Sequence, residues 1–121
     1  MKSTISREKG VASIVLEGAI TSIGNREFLE KLSKVPTARE SSADKCKFYD
    51  AVQIDITNLE FDDVECKIEL VKQIIATTKQ KLHVWDLVLV VCEDFKKALQ
   101  ANGIQEEREM IFEIKFITCK A

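Results

Sequence analysis

The sequence has few of the residues that break, crosslink or chemically specialise a chain. Its 121 residues include one proline, four glycines, one histidine, one tryptophan and one tyrosine. The four cysteines stand at positions 46, 66, 92 and 119 without a C-x-x-C pair, which gives no indication of a thiol metal or redox motif. We interpret them as reduced thiols of a cytoplasmic protein, although an even number would also permit disulfides in a secreted one.

Long apolar runs and clusters of basic residues are also missing. The longest apolar run, residues 87–92, is about a third of the length that a membrane span requires. The polar residues 1–9 lack the apolar region of a signal peptide. Lysine and arginine are scattered and the net charge is −2, whereas nucleic-acid binding needs a basic stripe to neutralise phosphates. We therefore expect a cytoplasmic protein with no membrane insertion and no nucleic-acid partner.

The composition that remains is that of one packed domain. Hydrophobic residues make up 45% of the chain and charged residues 31%, which is enough to form and solubilise a core. The length predicts a single domain over residues 1–121. Residues 37–50 are the most polar stretch and are expected to form a surface loop longer than most connections. This loop is either a tolerated insertion or a regulatory, partner-contacting segment.

Apolar patterning predicts five strands. Residues 4–5 and 11–16 are expected to form an N-terminal hairpin around a turn at residues 8–10. Residues 11–16 are apolar on both faces, which indicates a strand that is covered on both sides or central in its sheet. Residues 51–57 alternate with period 2, and the continuous apolar run at 87–92 is typical of a strand buried on both faces. Residues 111–117 form the last predicted strand.

The first and third helices are defined by their predicted ends. Asn25 is the expected N-cap of the first, and Pro36 marks its end. Asp94 is the expected cap of the third. After the third helix, Gly103 can adopt a left-handed conformation that brings Ile104 against the preceding helical turn.

The second helix is predicted over residues 64–78 from an apolar stripe at helical spacing. The stripe is formed by Val64, Ile68, Leu70, Val71, Ile74 and Ile75. The side chains expected to point away from the core are Glu65, Lys67, Glu69, Lys72 and Gln73. The predicted order of elements is therefore β-β-α-β-α-β-α-β, an α/β fold with a mixed, mainly parallel sheet and one antiparallel pair at its start.

This order, together with three segments, resembles a STAS domain, the fold of bacterial anti-sigma-factor antagonists. Residues 10–18, GVASIVLEG, are similar to the family's second strand, which ends in a glycine. Residues 52–62, VQIDITNLEFD, are similar to its middle strand and following loop. Residues 95–104, FKKALQANGI, resemble its closing helix. The resemblance covers residues 3–118 and implies a protein-binding regulatory module.

The sequence departs from this family at its phosphorylation site. In the antagonists a D-S-S-G motif follows the middle strand and carries the phosphorylated serine at the start of the second helix. Here Asp62 matches the aspartate, Asp63 and Val64 replace the two serines, and Glu65 replaces the glycine. Val64 stands at the phosphoacceptor position and has no hydroxyl group, so a phosphorylation switch at that position is chemically impossible.

Two roles remain open for the acidic cluster from Asp62 to Glu65. Asp62 and Glu65 have the spacing of a capping box, and acidic residues are favoured at a helix N-terminus. Alternatively, Asp62, Asp63, Val64 and Glu65 border a partner-binding surface, as the resemblance implies. A metal site is not expected because no further ligand can be assigned.

Nothing in the sequence assembles a catalytic or cofactor site. His83 is the single histidine, and no nucleophile is tied to it by a motif. Neither of the glycine-rich phosphate-binding motifs, G-x-x-x-x-G-K-S/T and G-x-G-x-x-G, is present. The sequence therefore predicts no catalytic residues, no cofactor and no bound metal.

The resulting hypothesis is a non-enzymatic regulatory or adaptor module that binds a protein partner. By resemblance, that partner could be a kinase-type anti-sigma factor. A first alternative is a STAS-like subunit of a larger assembly, such as a lipid-transport complex with a membrane-bound ATPase. A second is a receiver-like phosphorelay domain, whose acidic pocket would be incomplete because Gly18, not a second acid, follows Glu17.

Overall fold

A computed structural model describes residues 2–8, 11–34, 51–60, 64–81, 86–108 and 113–118. These residues form six strands and three helices. In chain order they are β1 (Lys2–Glu8), β2 (Val11–Ala19), α1 (Ser22–Ser33), β3 (Ala51–Glu60), α2 (Val64–Lys81), β4 (Asp86–Val91), α3 (Glu93–Ala101), β5 (Glu107–Arg108) and β6 (Glu113–Thr118). The predicted loop at residues 37–50 lies outside the described residues.

The strands form one mixed sheet in the order β1-β2-β3-β4-β6-β5. The pairs β2–β3, β3–β4 and β4–β6 are parallel, and the opening hairpin β1–β2 is antiparallel. The predicted α/β fold with a mainly parallel sheet is therefore confirmed. The two-residue strand β5, which pairs antiparallel with β6, was not predicted because two residues carry no periodicity.

The parallel strands follow one another across the sheet in chain order, and this places the core on one face. Each helix connects neighbouring parallel strands, and such crossovers are right-handed in nearly all proteins. Successive crossovers in the same direction put their helices on the same side of the sheet. The three helices contribute to a single core cluster through Phe28, Leu32, Ile68, Val71, Ile74, Phe95 and Leu99.

Alternation along the strands agrees with this one-sided core. The residues that face the helices are at most 8% exposed; in β2, β3, β4 and β6 they are Ala12, Ile14, Leu16, Val52, Ile54, Ile56, Leu87, Leu89, Val91, Ile114 and Phe116. The other face of β2 is half-buried, so its two apolar faces reflect a central position between β1 and β3. In β4, predicted to be buried on both faces, Val90 is buried but Asp86 and Val88 are half-buried.

Helix α1 begins four residues before the expected position. Thr21, not Asn25, is its N-cap, because the Thr21 backbone is extended (φ −131°, ψ 154°) and its Oγ1 accepts a hydrogen bond from the Gly24 amide at 3.0 Å. Asn25 is already helical, since its amide donates to the Thr21 carbonyl at 2.9 Å. The helix ends at Ser33, and Pro36 lies outside the described residues.

Helix α3 confirms its predicted end but not its predicted start. Cys92, not Asp94, is the N-cap, because β4 ends at Val91 and the helix begins immediately at Glu93. Gly103 has φ +81°. The Ile104 amide donates to the Leu99 carbonyl at 2.9 Å and the Gly103 amide to the Gln100 carbonyl at 3.1 Å. These are the two hydrogen bonds of a Schellman motif.

The one-sided core predicts unequal costs for neighbouring truncations in β4. Leu89 is fully buried on the helix face, so Leu89→Ala is expected to lower the free energy of unfolding by about 2–5 kcal/mol. Val88→Ala, on the half-buried face of the same strand, is expected to cost clearly less. Urea unfolding of the two variants tests this, and an equal or larger loss for Val88→Ala would contradict a one-sided core.

The left-handed residue after α3 predicts a purely backbone effect. A Cβ added at Gly103 would meet no atom within 4 Å, so Gly103→Ala should be destabilised only by the conformation, by about 1 kcal/mol. Gly103→Asn should lose less, because asparagine tolerates this conformation better. Thermal unfolding of both variants measures the difference; a larger loss for asparagine would point to a steric cause instead.

Candidate partner-binding surface

The parallel strands all end on the same side of the sheet, at its carboxyl end, and α2 and α3 begin there. Helix α2 follows β3 and helix α3 follows β4. The end of β2 is held at this carboxyl end as well, because the Ile20 amide donates to the Glu60 carbonyl at 3.2 Å. The first turns of both helices are therefore brought together by the topology of the sheet.

The first turn of α2 contains two of the four residues predicted to bind a partner. Val64 is 39% exposed, although it belongs to the stripe predicted to face the core. Glu65 is exposed beside it. The other two predicted residues, Asp62 and Asp63, lie outside the described residues, as does the proposed capping role of Asp62. A role in the core does not explain why Val64 is exposed.

The first turn of α3 adds acidic residues that sequence reasoning did not assign to the surface. Glu93 and Asp94 are exposed there, and Glu60 is exposed at the end of β3. Carboxylates next to a helix N-terminus are stabilised by its dipole. Glu60, Val64, Glu65, Glu93 and Asp94 are called the candidate surface below. The sequence could have indicated these positions, because all five residues lie within three residues of a predicted strand end or helix start.

The carboxylates of the candidate surface do not converge on a point. Among residues 2–8, 11–34, 51–60, 64–81, 86–108 and 113–118, no three histidine, cysteine, aspartate or glutamate side chains are grouped so that they could hold a metal ion. Neither Cys66 nor Cys92 is part of a disulfide; Cys46, Cys119 and His83 lie outside this part of the chain. No helix in the described part is long and apolar enough to span a membrane.

Lys67 lies beneath the candidate surface and corrects a prediction. It was expected to point away from the core, yet it is only 3% exposed. Its Nζ lies 4.5 Å from the centre of the Phe95 ring, over its face. This cation–π contact joins α2 to α3, the two helices whose first turns carry the candidate surface.

Burial lowers the pKa of Lys67 below its ordinary value of 10.5, because desolvation disfavours the charged amine. Electrostatic interactions with Cys92 and Asp55 act in the opposite direction and raise the pKa of Lys67 in part. Asp55 is held in place by Thr57, whose amide and Oγ1 donate to its Oδ1 at 2.9 and 2.6 Å. Lys67 thus links α2 with the middle of β3 and with Cys92, the residue that follows β4.

Comparison with known proteins supports this architecture. The structure resembles an anti-sigma factor antagonist from Mycobacterium paratuberculosis, with a TM-score of 0.60 and 15% sequence identity over 94% of this chain and 84% of that one. The chain has the STAS fold. No family model and no curated protein matches the sequence. The STAS resemblance found in the three sequence segments is thereby confirmed at the level of the fold.

The buried amine predicts a pH-dependent stability. Between the lowered pKa of Lys67 and 10.5, the unfolded chain binds more protons than the folded one, so its stability rises with pH. Lys67→Met removes this contribution. The unfolding free energy of the wild type minus that of Lys67→Met should therefore increase as the pH rises toward 10.5.

Denaturant unfolding over a series of alkaline pH values measures this difference. Lys72→Met is the matched control, because Lys72 is exposed on the same helix. A difference that stays constant with pH for Lys67→Met would contradict the lowered pKa.

Proposed function

We propose that this chain is a cytoplasmic, non-enzymatic regulatory module that binds a protein partner through the candidate surface. The observation that carries the proposal is Val64, an apolar side chain that is 39% exposed at the start of α2. It is bordered by the exposed carboxylate of Glu65, with those of Glu93 and Asp94 on the next helix. An apolar centre with a charged border is typical of protein interfaces.

The strand order supports a binding role over a catalytic one. Enzymes with open parallel sheets bind their ligands in the crevice where the strand order reverses direction. Here the described parallel strands run β2-β3-β4-β6 without a reversal, so these strands form no such crevice. The same order differs from the 2-1-3-4-5 order of receiver-like domains, which argues against the phosphorelay alternative.

The chemistry of the candidate surface indicates what kind of partner it suits. Its charged members are all acidic, so a partner with a basic surface would be attracted and oriented by it. Following the similarity to an anti-sigma factor antagonist, we propose an anti-sigma factor of the kinase type as the first partner to test. Because Val64 cannot be phosphorylated, binding would be constitutive or controlled by another route.

Variants of the first turn of α2 test this proposal. Val64→Asp removes the apolar centre and Glu65→Lys reverses a charge at its border; each is expected to weaken partner binding at least about tenfold. Partners captured from the host with the wild-type chain would be identified and purified, and their affinities measured by calorimetry.

Glu106→Lys is the matched control, since it reverses an exposed carboxylate beyond the opposite end of α3. It should bind like the wild type. A partner that binds Val64→Asp and Glu65→Lys with unchanged affinity would rule out the candidate surface. A membrane-bound ATPase lost in these variants would keep the surface but replace the anti-sigma factor with a transport assembly.

A further inference from the structure

A buried contact joins the first turn of α2 to the first turn of α3. Lys67 is the fourth residue of α2, and Phe95 is the third residue of α3. Both side chains are 3% exposed, and the Lys67 Nζ lies 4.5 Å from the centre of the Phe95 ring. The contact therefore lies directly beneath the two turns that carry most of the candidate surface.

Helices α2 and α3 share few other means of holding their first turns together. They pack on each other less extensively than α1 and α2 do. Each helix is attached to the sheet mainly by its own apolar residues, such as Val71 and Ile74 in α2 and Leu99 in α3. A single buried contact at the start of both helices therefore has a large influence on how the two first turns are placed relative to each other.

Lysine is an unfavourable residue for this position if stability is its only role. Burial lowers the pKa of Lys67, because the charged amine loses hydration. Methionine has an unbranched side chain of similar length and would fill the same space without this cost. Replacing buried charges with apolar groups often leaves stability unchanged or raises it. Residues that depart from such a local rule are expected at functional sites.

The candidate surface lies next to this contact on both helices. Val64 precedes Lys67 by three positions, and residues at this spacing are neighbours on a helix. Asp94 immediately precedes Phe95. The side chains of Val64 and Asp94 are both exposed. A shift of one first turn relative to the other would therefore separate the apolar centre of the surface from part of its acidic border.

We propose that Lys67 is a positioning residue of the candidate surface, whose amine over the face of Phe95 sets the placement of the first turns of α2 and α3. This inference rests on the proposed function, because it treats the two turns as one binding surface. The face of an aromatic ring is negative and its edge is positive, so a cation is attracted to the face alone. The contact thus fixes a direction as well as a distance, whereas an apolar side chain has no such preference.

Lys67→Met and Phe95→Leu test the contact from its two sides. Both keep an apolar side chain in the core, and each is expected to raise the Kd for the partner purified with the wild-type chain about tenfold. The double variant should bind no more weakly than either single variant, because both changes remove the same contact. Lys67→Arg keeps a cation over the ring and should recover most of the affinity.

Ile104→Val is the control for a loss of stability alone. Ile104 is buried just beyond the carboxyl end of α3, so its truncation weakens the core without touching either first turn. This variant should bind the partner like the wild type. Thermal unfolding shows whether each variant is folded at the temperature of the binding measurement.

Proton NMR examines the contact in solution without a partner. The ring current of Phe95 should shift the methylene protons beside the Lys67 Nζ upfield, because the Nζ lies over the face of the ring. The shift should be lost in Phe95→Leu. The signals of Lys72, which is exposed on the same helix, provide the unshifted reference.

Four results would overturn the proposal. These are an unshifted Lys67 signal in the wild type, an unchanged affinity of Lys67→Met, equal weakening by Lys67→Met and Lys67→Arg, and additive effects of Lys67→Met and Phe95→Leu. The proposed function fails separately. A Val64→Asp chain that binds like the wild type removes the candidate surface, whereas weak binding of Val64→Asp with normal binding of Lys67→Met removes only the role of Lys67.

Discussion

The four parallel strands β2, β3, β4 and β6 cross the sheet in the order in which they occur in the chain, and the other features follow from this. Because right-handed crossovers then run in one direction, the helices share one face, and burial alternates along the central strands except at the end of β4, where Val90 is buried as well. The second face of β2 is half-buried without a covering layer of helices. Its apolar character is explained by the position of β2 between β1 and β3. Among the described strands, the same order puts β1 and β5 at the two outer positions of the sheet, with seven and two residues.

This arrangement also determines what the carboxyl edge of the sheet can do. Parallel strands end there together, so the first turns of α2 and α3 become neighbours without any direct sequence relation between them. Their exposed carboxylates remain separated, which suits a binding surface better than a metal site. Lys67 contributes from below, because its aliphatic stem and amine are buried against Phe95 while Asp55 and Cys92 partly offset the loss of hydration. The contact between Lys67 and Phe95 thus lies in the core and joins the two helices that carry the candidate surface.

Local signals predicted the fold where one physical cause dominated. The hairpin, the period of β3 and the stripe of α2 were found because burial on one side imposes period 2 or 3.6. The end of α3 was found because Gly103 suits the left-handed conformation better than any other residue type. The starts of α1 and α3 were placed wrongly at Asn25 and Asp94, because several polar residues compete near each start and the end of the preceding strand decides between them.

By itself, the sequence determined the order of the three helices and of five of the six described strands, the STAS resemblance, and the absence of a side-chain hydroxyl at position 64. These features depend on residue identity and local periodicity, both of which can be read from the sequence alone. Only the tertiary structure decided that Lys67 is buried, that Val64 is exposed, and that Glu93 and Asp94 join the first turn of α2. Helical periodicity placed Lys67 outside and Val64 inside, because it treats the helix as if it packed on the sheet alone. The neighbouring α3 covers Lys67, and Val64 stands at the helix end, beyond the reach of the core.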